Sequence, residues 1–180
     1  MERTLFNQRG EQPRGSKAVE KTILNIHSNS ENVEKQEEVS QVRLLQSFDN
    51  GGCISAEYDK RTNEENENIK ALTPLAAMGK KIILKATSKK TGVRSADSFV
   101  DGELLEVKTN HTPTVSAIDN AIRSCNGQAK NLLINIESNI SQETLEKGIK
   151  GRIFRTNIEK IIIVKNGKIE RTYYRNMIEK

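Results

Sequence analysis

The spacing of apolar residues changes along the chain, and each change predicts an element. In residues 17–47, Val33, Val39, Val42, Leu44 and Leu45 are scattered among Glu, Gln and Asn. That stretch is too polar for a core element and reads as a marginal helix or a linker. FDNGGCISAEY, 48–58, reads as a turn followed by a short strand. NEENENIKALTPLAAMGK, 63–80, opens with acids and closes on Gly79, which predicts a helix that Pro74 kinks or splits. KIILKAT, 81–87, alternates as a strand and leads into the basic loop SKKTGVR, 88–94. Asp101-Gly102 lies between Phe99-Val100 and Leu104-Leu105, a strong two-residue hairpin signal. Val115, Ile118, Ala121, Ile122 and Cys125 then recur at helical spacing, and Gly127 weakens the end of that helix. NLLINIE, 131–137, reads as a buried strand, and residues 141–153 as an amphipathic helix opened by Ser141 and Thr144. A second hairpin turns at Asn166-Gly167 within 158–175.

Helices between strands require crossover connections, whereas hairpins require antiparallel neighbours. The expected fold class is therefore α/β (α+β): a mixed β-sheet with two hairpins, flanked by helices. Residues 1–20 hold a Pro and two Gly among charges and read as a loose arm. The expected division is an N-terminal arm over 1–47 and one domain over 48–180. No internal repeat is visible.

Composition refines this picture in three ways. Hydrophobic residues make up 34% of the 180 and charged residues 29%, and the mean hydropathy is -0.65. With no apolar run of membrane-spanning length and no signal-peptide pattern at the start, a water-soluble protein acting in the cytoplasm, away from the membrane, is expected. Cys53 and Cys125 lack metal-ligand spacing and read as buried free thiols. The net charge of +5 is uneven: residues 1–50 sum to about -1, and the rest carry the excess. A basic domain is compatible with a polyanionic partner. Aromatic content is only 4% with no Trp, so recognition of a nucleic acid would depend on backbone and shape rather than base stacking.

The candidate chemistry lies in the first hairpin. A turn at Asp101-Gly102 pairs Val100 with Glu103, Phe99 with Leu104 and Ser98 with Leu105, and extends to Asp97 opposite Glu106. Two acids then face one another, an unfavourable pairing unless a cation intervenes. Lys108 is two residues beyond Glu106 on the same face. Adjacent carboxylates can hold a divalent cation such as Mg²⁺, and a nearby ammonium can stabilise phosphate charge, which together suggest phosphodiester cleavage. A solvated hairpin face with Lys108 neutralising Glu106 is the alternative. His111, in the following loop, is a candidate general acid or base. Gln128 or Lys130 is placed to reach the hairpin from the next helix. Lys89, Lys90, Arg94, Arg123, Arg152 and Arg155 are candidate nucleic-acid-binding residues, with Lys147 and Lys150 beside the last two.

Asp97…Glu106-Val107-Lys108 resembles the D…ExK signature of restriction-endonuclease-like nucleases. The longer segments GKKIILKA, SADSFVDGELLEVKT, SAIDNAIRSCNGQAKNLLINI and IEKIIIVKNGKIERTYYR resemble the C-terminal nuclease domains of contact-dependent growth inhibition (CdiA-type) toxins. They also resemble relatives of those domains attached to phage minor head proteins. The resemblance covers roughly residues 48–175. It implies a nuclease, foremost a ribonuclease acting on tRNA, with an immunity or delivery protein as partner. It also implies functional roles for Asp97, Glu106, Lys108 and Gln128. Ala96 stands where the first position's usual Pro would precede Asp97. Two mechanisms follow from it: a metal held by Asp97 and Glu106, or metal-free barnase-like transesterification through the RNA 2′-hydroxyl. A DNA endonuclease and a catalytically silent binding module are the rival readings.

Overall fold

A computed structural model describes residues 42–58, 63–86 and 95–179. Their eight strands form one mixed sheet in which spatial order follows chain order. The elements are β1 (Arg43–Ser47), β2 (Cys53–Ala56), α1 (Asn63–Ala76), β3 (Lys81–Leu84), β4 (Ser98–Val100), β5 (Glu103–Asn110), α2 (Val115–Cys125), β6 (Asn131–Ile136), α3 (Gln142–Ile153), β7 (Lys160–Lys165) and β8 (Lys168–Tyr174), with a 3₁₀ turn over Arg175–Met177. Each helix carries a crossover between parallel neighbours: α1 joins β2 to β3, α2 joins β5 to β6, and α3 joins β6 to β7. The remaining neighbours are antiparallel. The expected mixed α/β sheet forms with both predicted hairpins, β4–β5 and β7–β8, and β1–β2 adds a third across the turn 48–52.

Both predicted hairpins turn as their dipeptides require. Asp101 and Gly102 have φ of 50° and 88°, and Asn166 and Gly167 have 52° and 69°. Two successive left-handed residues match the twist of the flanking strands, and Asp, Asn and Gly tolerate that region best. The first turn pairs Val100 with Glu103, Phe99 with Leu104 and Ser98 with Leu105, the register read from the sequence. Lys80 and the amide of Lys81 both bind the Asp101 carboxylate, which falls below its usual pKa chiefly through Lys80.

Strand alternation divides the core in two. One face of the sheet packs Leu105, Val107, Leu133, Ile162 and Val164 with Ile54, Ile82 and Leu84 against Leu72 and Leu75 of α1. The other packs Leu132, Ile134, Ile161 and Ile163 against Ile118 and Ile122 of α2 and Leu145, Ile149 and Ile153 of α3. Those two helices touch closely: a Cβ on Gly148 would lie 2.7 Å from the Ile118 Cβ. Thr114 and Ser141 cap α2 and α3 with their hydroxyls, the local reason these helices begin there.

Three local expectations need correction. Arg43–Ser47 is a strand and not marginal helix, because antiparallel pairing with β2 and burial of Leu45 against the α1 core override its polar composition. Of the two effects expected of Pro74, splitting α1 does not occur; one helix continues to Ala76 with Pro74 buried in its last turn. Asp97 forms no ladder pair with Glu106, since β4 begins only at Ser98. The basic loop 88–94, with Lys89, Lys90 and Arg94, and residues 1–41 lie outside the described residues.

Candidate active site

Period-two alternation along β5 sends Leu105 and Val107 to the α1 side and Glu106 and Lys108 to the α2–α3 side. Parallel pairing then aligns Glu106 with Leu132 and Ile161 in one row, and Lys108 with Ile134 and Ile163 in the next. A carboxylate thus occupies a position whose row neighbours are core aliphatics. Glu106 keeps only 1% of its surface in contact with solvent. Its Oε1 is 2.6 Å from the Lys108 Nζ, whereas its Oε2 is buried without a hydrogen-bond partner. An orphaned buried carboxylate oxygen costs free energy and calls for a cationic or donor partner.

Asp97 reaches this place by another route. Just before β4 its backbone carbonyl accepts the Lys85 amide at 2.9 Å, and its Oδ2 accepts the Val107 amide at 2.9 Å. The side chain thereby substitutes for a ladder bond and holds the carboxylate beside Glu106. Burial raises the Glu106 pKa above 4.5, and Asp97 adds to the rise, while the Lys108 hydrogen bond and charge only partly oppose them. Desolvation pulls Lys108 downward, yet the Glu106 bond and the charges of Glu106 and Asp97 outweigh it and leave the ammonium above 10.5. Lys108 therefore stays protonated at neutral pH and serves as a donor rather than a base. Cys125 closes the buried side; its thiol is pushed up to about 12, first by burial and then by the Glu106 charge, which keeps it an inert wall.

The other sequence candidates lie apart from this trio. His111 is exposed and its Nδ1 is 3.4 Å from Glu137 Oε2, a carboxylate that also binds Lys70 at 2.7 Å. Gln128 is not on the helix as expected: α2 ends at Cys125, and from the turn beyond it the Gln128 amide folds back to donate to the Ser124 carbonyl. Arg152 grips Asp119 of α2 through two bonds of 2.7 and 2.8 Å, so its guanidinium fastens α3 to α2. Arg123 binds the Asn120 side chain, and Arg155, Lys147 and Lys150 are exposed. Sequence reasoning missed Val107, Cys125 and Lys85, because each joins the site through a long-range contact with no local signature.

Among the described residues no group of three or more His, Cys, Asp and Glu could hold a metal ion. The Asp97–Glu106 pair nevertheless suits a hard cation that keeps most of its waters, for which one or two carboxylates suffice. No described helix is long and apolar enough to cross a membrane.

Comparison with known proteins gives two matches. Residues 94–169 match the family model described as the contact-dependent growth inhibition CdiA C-terminal domain. Among solved structures, a chain of the "CdiA-CT/CdiI toxin and immunity complex from Burkholderia pseudomallei" has the same fold, with a TM-score of 0.51 and 18% identity over 67% of this chain and 98% of that one. No curated protein matches the chain in sequence. The matched stretch runs from just before Asp97 through β5, α2, β6, α3 and β7, and so contains the whole carboxylate–lysine cluster.

Proposed function

From a chain whose residues 94–169 match the CdiA C-terminal domain, we infer a toxin nuclease that cleaves phosphodiester bonds, with tRNA as its substrate. One observation carries the reading: a fully buried Glu106 with one oxygen on Lys108 and the other unpartnered, beside Asp97. Such a carboxylate is unfavourable for folding alone, and is explained by a ligand that completes it. Asp97 and Glu106 would hold a divalent cation such as Mg²⁺. When bound, it would supply Lewis-acid stabilisation to the phosphate and lower the pKa of an attacking water.

The chain's own groups do the rest. Lys108, kept protonated by its two acidic neighbours, donates to a non-bridging phosphate oxygen where negative charge accumulates. The Val107 amide fixes the Asp97 carboxylate, and Cys125 with the α2 aliphatics excludes bulk water from the inner side. The metal-free acid–base reading has less support, because His111 is drawn to Glu137 and Gln128 to Ser124. The tRNA preference rests on the resemblance to CdiA-type domains. A cognate immunity protein is the proposed partner, since the similar solved chain comes from a toxin and immunity complex.

The test is one set of incubations: the protein with tRNA, total RNA and plasmid, each with Mg²⁺ or with EDTA, alongside Glu106→Gln and Lys108→Ala. Magnesium-dependent loss of tRNA that both substitutions abolish is expected. Cleavage that persists in EDTA would transfer the reaction to the metal-free mechanism. Cutting confined to plasmid would replace tRNA with DNA, no cleavage of any substrate by the unsubstituted protein would leave a silent binding module, and full cleavage by both variants would place the chemistry away from Glu106 and Lys108.

A further inference from the structure

Beyond the trio, the α2-side face of the sheet continues onto β3 and β4 and carries a second, differently built feature. Ile83 pairs with Phe99, and Phe99 pairs with Leu104, two residues before Glu106. Side chains directly opposite share a face, so these three form a row beside the carboxylates. None packs in either core cluster, and all three keep solvent contact. Two residues beyond Ile83 stands Lys85, directly across from Asp97 through its amide bond to the Asp97 carbonyl.

The seat of the Lys85 ammonium is unusual here. Lys70, Lys80, Lys108, Lys130 and Lys160 each rest against a carboxylate. Lys85 instead has its Nζ 4.9 Å from the centre of the Phe99 ring, and among the described residues no carboxylate lies within ion-pair distance of it. Two acids on neighbouring segments have other donors: Glu57 accepts the Ala86 amide and Asp97 the Val107 amide. A ring quadrupole orients a cation without cancelling its charge, whereas a carboxylate would neutralise it. A positive charge held in place but not neutralised, one cross-strand step from the reacting carboxylates, complements a backbone phosphate.

We propose that Lys85, seated on the Phe99 ring, holds the substrate phosphate next to the one being cleaved. It is a binding residue that fixes the register of the strand in the site. The apolar row Ile83, Phe99 and Leu104 receives the sugar and base that link the two phosphates. The proposal rests on the nuclease reading and names a subsite for it.

Binding is measured in the cleavage-dead Glu106→Gln background, using total tRNA and linear plasmid DNA in parallel over a salt series. Each lost phosphate contact lowers the slope of log K against log salt by about 0.7 for single strands and about 0.9 for duplex DNA. Lys85→Gln should lower the slope by that amount, Lys85→Arg should preserve it, and Phe99→Leu should weaken binding severalfold with the slope nearly kept. With Glu106 intact, Lys85→Gln should raise KM severalfold and leave kcat within about twofold. An unchanged slope with Lys85→Gln overturns the subsite, as does a fall in kcat at constant KM. Thermal melting of each variant separates these outcomes from misfolding, and Phe99→Leu tests the seat without removing the charge. If the unsubstituted protein cleaves neither tRNA nor plasmid, the nuclease reading itself fails, and if Glu106→Gln still cleaves, the site is not at Glu106; both results are separate from any slope.

Discussion

The β4–β5 and β7–β8 hairpins are built alike and used differently. Each turns on a left-handed acid-or-amide residue followed by Gly, and each contributes to the sheet a central strand next to β6. On the side that faces α2 and α3, the second hairpin places Ile161 and Ile163, both fully buried. The first places Glu106 and Lys108 in the same two rows. One hairpin contributes to stability through dispersion and desolvation of aliphatic surface. The other gives up that contribution in order to hold a charged pair in a partly dry site, as functional sites commonly do.

The comparison is broken most strongly by exchanging what each row is expected to do. Glu106→Ala should lower cleavage by about 10³-fold, measured as initial rates on tRNA, with little loss of melting temperature. Ile163→Ala should do the reverse, costing about 2–5 kcal/mol of stability in denaturant titration while activity per folded molecule stays within a few-fold. Similar losses of stability from both would mean that Glu106 is a structural residue after all.

A smaller effect, and a sharper one, concerns pH. The Glu106 pKa is raised in the folded protein, so its contribution to stability is fully present below 4.5 and is lost as pH rises through the folded value. The melting temperature of Glu106→Gln relative to the parent should therefore climb from acid to neutral pH. The acid limb of the cleavage rate should likewise lie above the ordinary carboxylate range. Lys108, also raised, contributes stability up to 10.5 that disappears only above it. A melting difference that shrinks toward neutrality would show that the Lys108 attraction outweighs burial. The smallest change tests the turns. Gly102→Ala and Gly167→Ala should each cost about 1 kcal/mol, since both sit at positive φ. Only Gly102→Ala should also slow cleavage, because its turn sets the register between Asp97 and Glu106.

Much of this fold was legible beforehand for reasons that are local. Asp101-Gly102 and Asn166-Gly167 fix turn geometry within four residues, and the alternation of β5 assigns Glu106 and Lys108 to one face once the turn is fixed. The strand at Arg43–Ser47 was not legible, since its pairing with β2 and the seat of Leu45 come from outside the segment. Nor did spacing show that His111 would turn to Glu137 on the loop after β6, or that Arg152 would be taken by Asp119 of another helix.

By itself the sequence determined the period of each element, the two turns and the shared face of Glu106 and Lys108, because backbone preference and side-chain alternation depend on near neighbours. Only the tertiary structure decided that Glu106 would be desolvated with one oxygen unpartnered, that Asp97 would join it through the Val107 amide, and that the Lys85 ammonium would rest on an aromatic ring. Those outcomes depend on burial and on charges brought from distant parts of the chain, and neither quantity exists until the sheet and its helices have packed.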